Sequence, residues 1–315
     1  AGAGAGETDV ENSENVAIQV DEHHGTVSFR GVQLVELSLE HLTYAPATRS
    51  AATTKSPTSS SISIDKNRIT VLSDVSTAIT PYQLSAWMGP SGSGKTSLLS
   101  CAAGLLSDPT NDLIGDTRIK TNGEVGTLPK RLVGVVWQDD LLLSNLTVKE
   151  TVRFAARLKT PHEITDDEVE MLVDNTLSKL GLSHVENSLI GVPGGSGKSR
   201  GISGGERKRV AVAVELVARP SILLLDEPTS GLDASTAYQL MLTLKKLCQL
   251  GHSIAVVIHQ PRTSIFNMFD NLLLLSQGKV VYEGEPSGVR EFLEACPGVG
   301  ILPPETGKAD WIMDV

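Results

Sequence analysis

The sequence predicts an α/β fold: a mostly parallel sheet with helices on both faces, entered by antiparallel strands and interrupted by a helical subdomain. Three observations predict it. Several short apolar runs (Leu84 to Met88, Leu132 to Trp137, Ile222 to Leu225, Ser253 to Ile258, Leu272 to Leu275) have strand length without polar alternation, as strands covered on both faces do. Segments with apolar residues at helical spacing lie between most of them, and alternating strands and helices build a parallel sheet. From 141 to 220 the alternation stops, leaving several helical patterns and no convincing strand, so this stretch reads as an insertion.

In chain order, residues 1–27 are small, polar and mildly acidic and read as a disordered tail. His23-His24 does not make a metal site by itself, which needs three or four convergent ligands. Val27 to Tyr44 alternates as strands do. Residues 45–67 are rich in Ser, Thr and Pro and read as a flexible surface insertion; Ser56-Pro57 within it suits phosphorylation or a plain solvated loop. The strand Leu84 to Met88 leads through a glycine-rich loop into a helix, Thr96 to Ala103. Helices follow over Val148 to Leu158, Glu168 to Leu180 (stopped by Gly181), and Glu206 to Ala218 (stopped by Arg219-Pro220). Ile222 to Leu225, a helix Thr236 to Gln249, and the strands from Ser253, Leu272 and Val280 complete the series. The α/β core is therefore 28–140 with 221–315, and the helical subdomain 141–220.

Hydrophobic residues make up 40% and charged residues 20%, a globular composition. A net charge of −10 opposes a broad nucleic-acid-binding surface, so no nucleic-acid partner is expected. No apolar run approaches the roughly 18 residues that cross a bilayer. Three scattered cysteines make neither a disulfide framework nor a zinc cage, which points to a reducing compartment. The chain starts Ala1-Gly2 without Met and is read as a fragment of a longer product.

Gly89-Pro90-Ser91-Gly92-Ser93-Gly94-Lys95-Thr96 fits G-x-x-x-x-G-K-[ST]. Its glycines let the backbone turn N–H groups inward onto phosphate oxygens, and the helix that follows adds its positive end. Lys95 would reach the β- and γ-phosphates of a nucleotide and Thr96 would ligate Mg2+, with Ser97 completing the nucleotide-binding set. The core is thus that of a P-loop NTPase with a RecA-like sheet. Ile222 to Glu227 is a buried strand ending in two carboxylates: Asp226 for Mg2+, Glu227 to orient and deprotonate the attacking water. Ligands of open parallel sheets bind beyond the carboxyl ends of the strands. Gln138 and His259 follow two further strands, Gln138 able to approach Mg2+ or the water and His259 the γ-phosphate. Ser203-Gly204-Gly205-Glu206 makes a second anion-binding cap on the helical subdomain. It lies too far along the chain to reach the same phosphate by simple folding, and a second protomer solves the problem.

With these motifs the sequence resembles the nucleotide-binding domain of ABC transporters, Ile202 and Glu206 standing where the usual signature has Leu and Gln. Trp137-Gln138-Asp139-Asp140, Ser203 to Arg209, His259-Gln260-Pro261-Arg262 and Ala309-Asp310-Trp311-Ile312 are similar to the G subfamily of half-transporters. The resemblance covers Leu37 to Val315. It implies that Asp233 lies in a D-loop that touches the partner protomer, and makes Tyr44 the candidate for stacking on adenine. It implies ATP and Mg2+, a second nucleotide-binding domain, a transmembrane domain C-terminal in the same product, and a place on the cytoplasmic side of a membrane. ATP binding and hydrolysis would drive export of a lipid-like or hydrophobic substrate. Gly194 to Ser199 imitates the phosphate loop but has Val192 where the first glycine belongs. Lys198, Arg200, Arg207, Lys208 and Arg209 read as a solvated basic helix start. The rival reading is a soluble ABC-type ATPase acting on ribosomes or DNA. A phosphate-loop kinase fits less well because of Ser203-Gly204-Gly205 and Glu227.

Overall fold

The computed structural model describes residues 18–20, 27–29, 32–46, 69–106, 112–121, 124–161, 163–192, 201–303 and 306–314. Most of the expected tail, the 45–67 insertion and the imitation loop at 194–199 lie outside the described residues. The expected tail is nevertheless not unstructured up to 27: β1 (Ile18–Val20) pairs antiparallel with β2 (Val27–Phe29).

The chain continues through β3 (Glu36–Ala45), β4 (Leu72–Ile79), β5 (Leu84–Met88), α1 (Lys95–Ala102), β6 (Asp112–Thr121), β7 (Glu124–Thr127) and β8 (Val133–Val136). Next come α2 (Val148–Lys159), α3 (Asp166–Lys179), α4 (Gly204–Leu216), β9 (Ile222–Asp226), α5 (Ala234–Gln249) and β10 (Ser253–Val257). The described chain closes with α6 (Thr263–Phe266), β11 (Asn271–Ser276), β12 (Lys279–Gly284), α7 (Val289–Glu294) and α8 (Lys308–Asp314).

The main sheet has the order β12-β11-β5-β10-β9-β8, parallel except for β12. Its register aligns Trp87, Val257 and Asp226, with Val136 beside Leu225, so the loops after β5, β8, β9 and β10 emerge along one edge. Every residue of β5, β9 and β10 is buried, the condition that an unalternating apolar run predicts.

Alternate residues of these strands feed two cores. Trp87, Leu224 and Val257 face one, with Leu98 and Leu99 of α1 and the antiparallel sheet β4-β3-β6-β7. Met88, Leu223, Leu225 and Val256 face the other, with α5 and the helical subdomain. Truncating any of these leucines to Ala costs about 2–5 kcal/mol by lost burial and the cavity left behind.

Among the described residues the stretch 141–220 holds the helices α2, α3 and α4, and its ends meet where β8 pairs with β9. Each helix begins with the same device. Thr147/Glu150, Thr165/Glu168 and Ser203/Glu206 are reciprocal capping boxes, the hydroxyl accepting from the third helical N–H while the carboxylate accepts from the cap N–H. At the foot of the sheet, Asp270 accepts the Leu84 N–H at 2.8 Å and the Lys245 ammonium at 2.5 Å, which ties the start of β5 to α5.

His252, buried just before β10, donates from Nδ1 to the Pro220 carbonyl at 2.8 Å. Burial pushes its pKa down to about 4, helped by Lys179 and Arg219 and opposed by the Pro220 bond. The native state thus favours neutral imidazole, and the stability this supplies is complete above about 6.5 and lost as pH falls toward about 4. Chemical unfolding measured across that window should show stability falling with acidity, with a shallower slope in His252→Leu, whose side chain takes up no proton.

Candidate nucleotide site

The glycine-rich turn between β5 and α1 is built by backbone that only glycine adopts easily. Gly89, Gly92 and Gly94 have φ of 149°, 79° and 100°. At Gly89 a Cβ would lie 2.1 Å from the Leu275 carbonyl oxygen, so the turn is pressed against β11; at Gly92 the same atom meets open space. Lys95 begins α1 and is buried, its ammonium donating to the carbonyls of Gly89 at 2.8 Å and Pro90 at 2.9 Å. Burial lowers its pKa, while Glu227 and Asp226 oppose the shift. The cation is thus held across the mouth of the turn, inside which Ser93 Oγ is buried with no partner.

Thr96 Oγ1 donates to Asp226 Oδ2 at 3.0 Å, joining the loop to the end of β9. Asp226 is 4% exposed, and its Oδ1 is buried without a partner. Burial raises its pKa, the Thr96 bond lowers it, Glu227 raises it further and Lys95 lowers it. A hydroxyl, a carboxylate and an orphaned oxygen at the floor of a phosphate-binding turn fit a hard divalent cation such as Mg2+, which takes oxygen ligands. Glu227 follows with φ 44°, an uncommon conformation outside glycine, and its N–H donates to the Val257 carbonyl at 3.0 Å. This bond continues the β9–β10 ladder one residue past Asp226, and the chain leaves the sheet there. His259, beyond β10, approaches Ser91 Oγ with Nε2 at 3.5 Å. The loops after β5, β9 and β10 therefore converge on one place. Ser97 lies in the first turn of α1, half-buried.

Gln138 is exposed beyond β8, and its backbone is held from the helical subdomain. Lys208 of α4, only 3% exposed, donates to the Gln138 carbonyl at 2.9 Å and lies 2.7 Å from Asp140 Oδ1. Arg207, also buried, donates to the carbonyls of Ile190 and Gly191, both at 2.8 Å. The expectation of a solvated basic helix start is thus corrected for both residues. Charge patterning in the sequence had no means of revealing that carbonyls surround these cations.

Ser203 caps α4. Glu206 accepts both its N–H and its hydroxyl proton at 2.7 Å, and the other carboxylate oxygen lies 3.2 Å from His184 Nε2. Burial raises the Glu206 pKa, but the bonds from Ser203 and His184 outweigh it and hold the carboxyl below its ordinary value. A Cβ on Gly205 would lie 2.0 Å from Thr236 Cγ2, so the signature presses on the start of α5. That start is capped by Asp233, which accepts from the N–H groups of Ser235 at 3.0 Å and Thr236 at 3.1 Å. Signature and D-loop of one chain therefore pack together. Among the described residues no hydrogen bond or ion pair joins Ser203–Glu206 to Gly89–Thr96.

Tyr44 is 7% exposed in β3, between Leu72 and Leu113 on the neighbouring strands. Its ring belongs to the core under the antiparallel sheet, and burial raises its pKa. A ring so covered has no face for a base, and the adenine-stacking expectation is corrected.

The family model described as ABC transporter matches residues 72–230, which contain the turn, the signature and the end of β9. The chain belongs to the ABC transporter family. What is described here is that family's ATPase domain. Among curated relatives, ABC transporter G family member 14 of Arabidopsis thaliana is 42% identical over 72% of this chain and 34% of its own length. G family member 7 of the same plant is 44% identical over 78% of this chain and 33% of its own. G family member 1 of Dictyostelium discoideum is 42% identical over 78% and 30%. The chain thus spans about a third of the length of these relatives. Among solved structures, cbiO1 from Clostridium perfringens, described as part of the ABC transporter complex cbiONQ, aligns with a TM-score of 0.60 at 24% identity over 80% of this chain and 89% of that one. This last likeness concerns the fold.

Two of the three glycines of the turn, Gly89 and Gly92, make separable predictions. Gly92→Ala meets only the left-handed backbone, at about 1 kcal/mol, whereas Gly89→Ala adds a collision with β11 and should cost roughly 3 kcal/mol or more. Thermal unfolding without nucleotide should rank the pair in that order.

Proposed function

We propose that this chain binds ATP with Mg2+ and hydrolyses it as one half of a head-to-tail dimer, driving export by a membrane domain. The observation that carries the reading is the Thr96–Asp226 pair beneath the glycine-rich turn, with its orphaned carboxylate oxygen. The turn would take the β- and γ-phosphates on its inward N–H groups, and Lys95 would exchange its two carbonyl partners for phosphate oxygens. Thr96, Asp226 and the side chain of Gln138 would hold Mg2+, which supplies charge neutralisation on the phosphates. Glu227 would accept a proton from the water whose oxygen attacks the γ-phosphorus, as the bond to the β-phosphate oxygen breaks. His259 would hold the γ-phosphate through its imidazole.

The signature starts α4 of the helical subdomain while the turn starts α1 of the core, which supports a site completed by a partner. Ser203, Gly204 and Gly205 of one protomer would close over the γ-phosphate held by the other, with Asp233 at the seam. ATP favours the closed pair and phosphate release the open one, and this difference in affinity supplies the coupling. The exposed apolar side chains beside Gln138, Leu141 at 90% and Leu143 at 58%, support contact with another body there. No helix among the described residues is long and apolar enough to cross a membrane. The relatives' names and greater length support a membrane domain in the complete product, on whose cytoplasmic side this domain would sit, with a lipid-like or hydrophobic cargo.

Two experiments test this. Glu227→Gln keeps the shape of the side chain without its basicity, so turnover should fall by about 10²–10⁴ while ATP affinity persists and a nucleotide-bound dimer accumulates. Equal loss of binding and turnover would remove Glu227 from the role given to it. For the shared site, Lys95→Ala and Ser203→Arg should each be inactive alone. Mixed, the Ser203→Arg chain contributes an intact turn and the Lys95→Ala chain an intact signature, so one site per mixed dimer is whole and ATPase activity should return. Activity no greater than the sum of the separate variants, with mixed dimers demonstrated, would count against the composite site.

A further inference from the structure

The ammonium of Lys208 is buried, yet no phosphate, metal or solvent in the reading above needs it there. It sits in the second turn of α4, on the helix that Ser203 caps, and its contacts run to a different unit: the loop after β8. It donates to the Gln138 carbonyl at 2.9 Å and more weakly to the Trp137 carbonyl at 3.5 Å, and forms an ion pair with Asp140 Oδ1 at 2.7 Å whose geometry is not that of a hydrogen bond. Its side chain is 4% exposed and that of Asp140 13%. A buried ammonium has three protons to place and is costly when any of its partners is removed. The loop it binds would otherwise be held weakly. β8 is an edge strand with a single neighbour, β9, and it ends at Val136.

We propose that Lys208 is a positioning residue that ties the Gln138 loop to the signature helix, so that the Gln138 side chain and the Ser203-Gly204-Gly205 cap keep a fixed relation and move together. The proposal rests on the reading of Gln138 as a ligand of Mg2+. The tether reaches the backbone of Gln138, leaving its side chain exposed and free to turn toward the metal. A displacement of α4, such as a phosphate closing on its N-terminus would bring, is passed to the other ligand loop through one cation. Asp140 completes the clamp: removing it leaves the carbonyl contacts but not the ion pair.

The test uses the full chain and two readouts, one of them independent of activity. Of the three tryptophans, Trp87 and Trp311 are buried and Trp137 is 37% exposed. Quenching of intrinsic fluorescence by acrylamide, taken as the difference between the protein and its Trp137→Phe variant, therefore reports the loop. In Lys208→Met, quenching of Trp137 should rise, and the Mg2+ concentration for half-maximal ATPase activity should rise about tenfold, the scale on which supporting residues of metal sites act. ATP affinity measured without divalent cation should stay as in the unsubstituted protein. Asp140→Asn, at a less buried position, should move both readouts in the same direction by less, and decides the matter if Lys208→Met does not fold. A folded variant with lowered melting temperature but unchanged quenching and Mg2+ requirement would make Lys208 merely structural and overturn the proposal. Gln138→Ala separates the two readings. If it leaves the Mg2+ requirement unchanged, the metal assignment of Gln138 fails and the fluorescence result alone decides the tether; if it raises the requirement while both clamp variants behave as wild type, the tether fails.

Discussion

Asp226 is a carboxylate taken out of water at the end of five buried residues, and the surrounding structure is arranged to answer its charge. An isolated ionised carboxyl in such a place would be protonated instead. Here the Thr96 hydroxyl holds one oxygen and Lys95 stands near enough to lower the pKa that burial raises. Both come from the first turn of α1, so the position of that helix follows from the strand that ends in Asp226. The glycine-rich turn must then leave β5 through a residue without a side chain, because the Leu275 carbonyl occupies the space where the Cβ of residue 89 would lie. The second oxygen is left buried without a partner, where the proposed cation would sit.

The same economy governs the helical subdomain, but with local rather than long-range partners. Each helix is started by a residue pair three apart, and its apolar face meets the core. Ser203 closes its own helix through Glu206, and in the proposed dimer the same hydroxyl would be offered to a partner's phosphate. With Gln at position 206, the reciprocal bonds would form without the full negative charge that this chain places at the signature.

Much of this was legible in the sequence, and what was missed has physical causes. The buried strands were visible because parallel strands covered on both faces leave unbroken apolar runs, and the candidate site was visible because glycine, lysine and hydroxyl stand at the spacing of a phosphate loop. β6 and β7 were missed: β7 is exposed throughout, and β6 shows Asp116, Arg118 and Lys120 to solvent or to partial cover, so neither carries the alternation of a core strand. Tyr44 was misplaced because a family analogy named its chemistry while only the sheet register fixes the side to which its ring turns. Arg207 and Lys208 were misread because a run of basic residues looks the same in sequence whether water or backbone carbonyls receive its protons.

The pairing of β8 with β9 means that the whole excursion from 137 to 221 leaves and rejoins the sheet at neighbouring strands. In chain-statistical terms it is one closed loop, whose entropic penalty grows only with the logarithm of its length. That penalty is roughly 4 kcal/mol plus a constant here, and doubling the excursion would add only about 0.6 kcal/mol. Extra sequence inserted between these strands is therefore thermodynamically mild, provided the pairing Val133 to Ile222 and Val136 to Leu225 is kept. A lineage could lengthen or trim this subdomain, and so reshape what it touches, while the strands that carry Asp226 and the phosphate turn keep their register.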